Sequence, residues 1–461
     1  MSVEAGFMLP HPPIIIPAIG KDERSIISET IAAYEKVAEE IAVIKPETII
    51  ISSPHATMYS DYFHISPKKT AFGSFSQFNA GQIRFEESYD YQLVEKICAF
   101  ADKEGFRAGT LGERDPFLDH GTMVPLWFIR QKYKEGKIVR ISLSGLPLAE
   151  HYRLGMLVNK ACLEMGRKAV YIASGDLSHK LQEYGPYGFV KEGPEYDERI
   201  MDVCSRAAFG ELFDFDEDFL EKAAECGHRS FLILAGVFDG VAVKAKRLSH
   251  QDVTGVGYGI CTFYPDGEDE NRHFLQAYED KILKIVKEKE EKADDYVKLA
   301  QQAVAYAVRK HKVMKQPEEI NAKLIEKKAG VFVSIHKFGK LRGCIGTIFP
   351  TKENVAQEII ANALSASLRD PRFDPIQEEE LKYLQISVDV LGQIEDVASE
   401  EELDEKRYGV IVSCGERKGL LLPDLEGVDT VKKQISIALS KGNIREYEDY
   451  KLQRFEVVRH E

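Results

Sequence analysis

The chain has 461 residues, with Asp+Glu 75 against Lys+Arg 61 and a net charge of -14. That balance argues against a general nucleic-acid binder, which needs a dense basic face, and no uncharged apolar run approaches the roughly 18 residues of a membrane span. Seven cysteines (Cys98, Cys162, Cys204, Cys226, Cys261, Cys344, Cys414) include no Cys-x-x-Cys pair, which fits reduced thiols in a cytoplasm better than a disulfide framework. Met1-Ser2-Val3-Glu4 is not a basic region followed by an apolar stretch, so no signal peptide is expected. At about 100–200 residues per domain, the length predicts two or three domains.

In chain order, residues 25–44 carry apolar positions at helical spacing, and Thr48-Ile49-Ile50-Ile51 follows as a strand ending at Ser52-Ser53-Pro54-His55. Val139–Leu143 and Ala169-Val170-Tyr171-Ile172 are two more short β-branched runs, the second ending at Ala173-Ser174-Gly175-Asp176. Such runs, bounded by turn residues, read as buried strands. Helical stretches, including 150–166, separate them. This alternation predicts an α/β domain over residues 1–268, with a mostly parallel central sheet flanked by helices. Thr254–Gly259 is Gly-rich but does not open a helix, so a final strand is expected rather than a phosphate loop.

The composition changes after Gly267. Residues 269–293 are predicted as a polar, helical linker, and from Tyr296 the apolar stripe returns, marking a smaller α+β domain over 294–461. Its predicted strands, Val331–Ile335 and Leu341–Ile348, flank a hairpin turn at Phe338-Gly339-Lys340. A helix over 353–369, a strand over Gln385–Leu391 and a helix over 428–440 complete it.

The chemistry concentrates in the first half. His11, His55 and His179 stand in Pro10-His11, Pro54-His55 and Asp176-Leu177-Ser178-His179, and His120 stands in Leu118-Asp119-His120-Gly121. Each alone reads equally well as a hydrogen-bonded residue at a strand end. Four together, most following predicted strands, point to the crevice at the carboxyl ends of an α/β sheet, where imidazoles serve as metal ligands and proton shuttles. Asp176 could set a histidine tautomer there.

These residues resemble the class III extradiol ring-cleavage dioxygenases of the LigB superfamily over about residues 5–265, and the MEMO proteins of that superfamily in Cys226-Gly227. The resemblance implies Fe(II), with His11 and His55 as its imidazole ligands, a catechol-type aromatic substrate and O₂. It also implies His179 as the acid/base for a substrate hydroxyl and His120 as a contact to dioxygen. The dioxygenases take their third ligand from a glutamate late in the domain. Here Glu225 is the favoured candidate by that analogy, with Cys226 beside it as the MEMO-like alternative; a thiolate would shift preference toward softer metals such as Zn or Cu. A metal-binding scaffold without dioxygenase activity and a zinc-type hydrolase are the competing readings.

In the second half, Leu341-Arg342-Gly343-Cys344-Ile345-Gly346-Thr347, Asp370-Pro371-Arg372-Phe373 and Gly419-Leu420-Leu421-Leu422-Pro423 resemble the AMMECR family over about residues 296–461. Cys344 reads either as a nucleophile or as a buried strand cysteine, the second being favoured. The fusion of the two domains resembles the protein A family of the AmmeMemoRadiSam set, which implies a separately encoded radical SAM partner; this chain has no Cys-x-x-x-Cys-x-x-Cys motif of its own.

Overall fold

The computed structural model describes residues 3–425 and 427–461. They divide into two compact units, one ending at Glu279 and the other beginning at Asp280.

The first unit contains strands β1 (Val3–Leu9), β2 (Thr48–Ser53), β3 (Phe63–His64), β4 (Thr70–Phe75), β5 (Ala80–Ser88), β6 (Ala108–Gly109), β7 (Lys137–Ser142), β8 (Ala169–Ser174), β9 (Val241–Gln251) and β10 (Tyr258–Glu268). Six of them form the central sheet in the order β7-β2-β8-β1-β10-β9. β7, β2, β8 and β1 run parallel, while β10 and β9 add an antiparallel hairpin. The sheet is therefore mixed, with the expected parallel part at one side.

β2 and β8 are buried along their whole length. Their unbroken apolar runs suit strands covered on both faces. The period of two splits them cleanly: Ile49 and Ile51 pack with Tyr34, Val37 and Ile41 of the helix Ser28–Ile44 and with Phe128 of the helix His120–Lys132. Ile50 points the other way, into a layer that holds Leu154 and Val158 of the helix Leu148–Met165 and Leu232 of the helix His228–Val237. The helix predicted from residue 25 begins at Ser28, because Lys21–Ile27 winds as a 3₁₀ segment. The strands that hold the histidine turns, β2, β8 and β1, are adjacent, so their carboxyl ends open on one crevice.

The second unit is α+β. Its strands β11 (Val331–Lys337), β12 (Lys340–Thr347), β13 (Leu384–Val397), β14 (Tyr408–Cys414), β15 (Arg417–Leu421) and β16 (Lys451–His460) form an antiparallel sheet in the order β12-β11-β13-β16-β14-β15. The β11–β12 turn takes positive φ at both Phe338 (51°) and Gly339 (78°), as a hairpin matched to strand twist requires. Helices Asp295–Lys310 and Val355–Leu368 cover Val333 and Ile335, and the helix Val431–Lys441 covers Val410 and Val412. Arg342 is fully engaged here: its guanidinium grips Glu380 at 3.0 and 2.9 Å and donates to Asp374 O.

Candidate active site

His11 lies just beyond β1 and is 1% exposed. Its backbone N–H donates to Asp176 Oδ1 at 2.7 Å, and its ring Nδ1 lies 2.9 Å from Ser174 Oγ at the end of β8. Ser174 uses its one proton on Gly121 O at 2.6 Å, so toward His11 the hydroxyl can only accept. Nδ1 therefore carries the ring proton, and Nε2 keeps its lone pair. Burial, reinforced by the neighbouring His55, holds the His11 pKa well below the usual imidazole range. The ring is neutral.

The free Nε2 faces His55 Nε2 at 3.0 Å and Cys226 Sγ at 3.8 Å. The sulfur is placed by two crossing turns. Cys226 N–H donates to Asp176 O at 3.4 Å, and Asp176 N–H donates to Sγ at 3.2 Å. A Cβ on Gly175 would lie 2.1 Å from Gly227 Cα, so only glycine allows the turns to approach this closely. Among the described residues, His11, His55 and Cys226 offer ligand atoms that all lie within 4.8 Å of one another. Asp176, His179 and Cys226 form a second such group sharing the sulfur. Burial pushes the Cys226 thiol up and the Asp176 carboxyl up to about 6. A divalent cation would reverse both directions. Two imidazole nitrogens, a sulfur and an adjacent carboxylate converge here, a donor set that fits a first-row metal.

Glu225 is turned elsewhere. Its carboxylate accepts from His228 N–H at 2.5 Å at the start of the helix His228–Val237, where free N–H groups favour a carboxylate. Burial nevertheless pushes it up to about 7, against the pull of His228 N–H. The geometry thus brings Cys226, and not the favoured Glu225, to the imidazole pair.

His120 opens the helix His120–Lys132 rather than ending a strand. Its ring centroid lies 4.0 Å from that of His55 and 5.3 Å from that of His11, and burial, with His55 and His11, pulls its pKa down to about 3. Asp119 caps that helix through Thr122 N–H at 3.0 Å and accepts from Ser53 Oγ at 2.6 Å, tying the helix to the end of β2. His179 is half-buried and stacks on Tyr187, with ring centroids 5.2 Å apart. Burial lowers its pKa while Asp176 raises it.

A cleft of about 970 Å³ opens beside His55 and His120. Its walls include Phe72, Phe85 and Phe117, with Arg84 on β5. The roles of Tyr187 and the β4–β5 hairpin are not signalled by local sequence. Ser174 at the end of a strand, next to Gly175-Asp176, is the one detectable hint.

Residues 5–261 match the family described as the catalytic LigB subunit of aromatic ring-opening dioxygenase, and residues 297–460 match the AMMECR1 family. The chain belongs to the LigB dioxygenase family, with an AMMECR1 domain following in the same polypeptide. A protein of Clostridium acetobutylicum is 41% identical over 477 aligned residues, covering 100% of this chain and 99% of its own. The 2-aminophenol 1,6-dioxygenase beta subunit of a Pseudomonas species is 26% identical, covering 56% of this chain and 92% of its own. A crystallised protein of Pyrococcus horikoshii is 28% identical over 36% of this chain and 88% of its own, with a TM-score of 0.34.

Proposed function

We propose that the N-terminal unit is a metal-dependent oxidoreductase of the ring-opening dioxygenase type. Its substrate is an aromatic with adjacent hydroxyl groups, or adjacent hydroxyl and amino groups, and O₂ is the co-substrate. The observation that supports this most is the His11–His55 pair, with one imidazole locked in the ligand tautomer by Ser174 and two further neutral histidines around it.

His11 and His55 would hold the metal, with Cys226 the nearest third donor and Asp176 behind it. The family reading implies Fe(II), which would anchor the substrate's neighbouring oxygens and make O₂ reactive. His179 sits on the Asp176 side of the site. A neutral imidazole there can take the proton of a substrate hydroxyl at its ring nitrogen and later return it, help worth about 10²–10⁴-fold. His120, whose ring packs against that of His55, can donate a hydrogen bond from its neutral ring to an oxygen atom of the reacting pair. The aromatic walls of the cleft offer faces on which a planar ring can stack.

The sulfur of Cys226 favours a second reading, a Zn- or Cu-binding protein without ring-opening activity, working with a radical SAM protein encoded apart. The seven cysteines are free, which supports a reducing cytoplasmic location. No described helix is long and apolar enough to cross a membrane.

The test is metal analysis after anaerobic purification, followed by O₂ uptake with catechol, protocatechuate-like acids and 2-aminophenol. Iron with uptake, lost in His179→Ala while iron is retained, is the expected result. No uptake by the Fe(II)-loaded protein with any of these substrates would leave the second reading.

A further inference from the structure

His179 poses a positional problem: among the described residues no side chain hydrogen-bonds its ring. Its place depends on stacking against Tyr187 and on the backbone of the turn that carries it. That turn is pinned chiefly by backbone groups. Leu177 N–H donates to Gly257 O at 2.8 Å, Gly257 N–H donates to Ser178 O at 2.8 Å, and His179 N–H donates to Ala223 O at 3.3 Å.

Two anchors use side chains: Ser178 Oγ donates to Ala223 O at 2.8 Å, and a carboxylate takes the Ser178 amide. Ser178 N–H donates to Oδ1 of Asp197 at 2.9 Å. Asp197 lies in the helix Glu192–Arg206 and is 3% exposed. Its other oxygen, Oδ2, is 2.9 Å from His250 Nε2 on β9. A Cβ at Gly257 would lie 1.9 Å from Oδ2, so the absence of a side chain there makes room for the carboxylate. A carboxylate withdrawn from water is costly unless every oxygen is used, and here each oxygen has one assigned task.

We propose that Asp197 is a positioning residue. It holds the Ser178 peptide, and through it His179, at the proton-transfer position, while His250 holds the carboxylate in place. The catalytic meaning of that position rests on the dioxygenase reading; the clamp itself does not.

The test uses the full chain as purified, in wild type, Asp197→Ala and Asp197→Asn. Hydrogen exchange at the Ser178 amide and carbethoxylation of His179 by diethyl pyrocarbonate are both followed by mass spectrometry. In Asp197→Ala the Ser178 amide is expected to exchange about tenfold faster, the scale of losing a hydrogen bond to a charged group. The rate of His179 modification should shift with it, while modification of His55 and the metal content stay at wild-type values. Asp197→Asn keeps an acceptor oxygen and should fall between the two. Where wild type turns over, kcat falls in the alanine variant with KM unchanged.

Wild-type rates at both Ser178 and His179 in a folded Asp197→Ala protein overturn the proposal. If that variant does not fold, Asp197→Asn decides: faster Ser178 exchange supports the clamp and unchanged exchange overturns it. A wild type that consumes no O₂ removes the dioxygenase reading, while the two measurements at Ser178 and His179 still decide the clamp.

Discussion

The nitrogen that His11 presents to the site is chosen by one hydroxyl. Ser174 is 0% exposed, accepts from Nδ1–H and spends its own proton on Gly121 O. Without it, Nδ1–H is buried and unpaired, and the opposite tautomer becomes competitive. Ser174→Ala should therefore weaken metal binding about 10–100-fold, the scale on which such orienting partners act, while the fold persists. A metal titration read by calorimetry checks this; wild-type affinity in the alanine variant would show that the tautomer is set some other way. At this scale the sequence was only partly legible. His11, His55, His120 and His179 are all found around one centre. The choice between Glu225 and Cys226 was not readable, because adjacent residues in a turn point in different directions and only the local backbone says which faces the imidazoles.

At the scale of elements, the site is made by turns that cross rather than by any one segment. The parallel strands β1, β8 and β2 end together, and the Gly175-Asp176 turn then meets Cys226-Gly227 across a glycine-to-glycine contact. Gly175→Ala would drive a methyl group to 2.1 Å from Gly227 Cα. Relief requires the Cys226 turn to move, at a cost of about 1–3 kcal/mol for overpacking. The expected outcome is a lower melting temperature together with loss of metal, whereas Cys226→Ser should lose metal without the fall in melting temperature. Equal metal content in wild type and Gly175→Ala would argue that the crossing does not place the sulfur. Strands β2 and β8 were readable here because their apolar runs are continuous. The antiparallel β9–β10 pair and the β4–β5 hairpin were not, since the direction of a strand in a sheet leaves no mark in its composition.

For the whole molecule, the division between the two units falls inside the helix Phe274–Lys292. The early part of that helix belongs to the first core: Leu275 is 6% exposed within it, Tyr278 stacks on Phe213 at 4.4 Å, and Glu279 pairs with Arg153 at 2.6 Å. A fragment of residues 1–279 should fold and bind metal as the full chain does. One ending at residue 268 should melt lower, because it exposes the apolar surface under Leu275 and Tyr278. Thermal melts of the two fragments, with metal content measured on each, check this; identical melting temperatures would place the helix outside the first core.

The sequence alone determined the main kinds of element, the two fold classes and a set of candidate residues for metal binding and proton transfer. Periodicity and residue chemistry are local properties, carried by every segment wherever it ends up. Only the tertiary structure decided which donors meet, which nitrogen of His11 is free, and that Cys226 rather than Glu225 faces the pair. Those outcomes depend on strand order and on the close crossing of turns 50 or more residues apart in the chain.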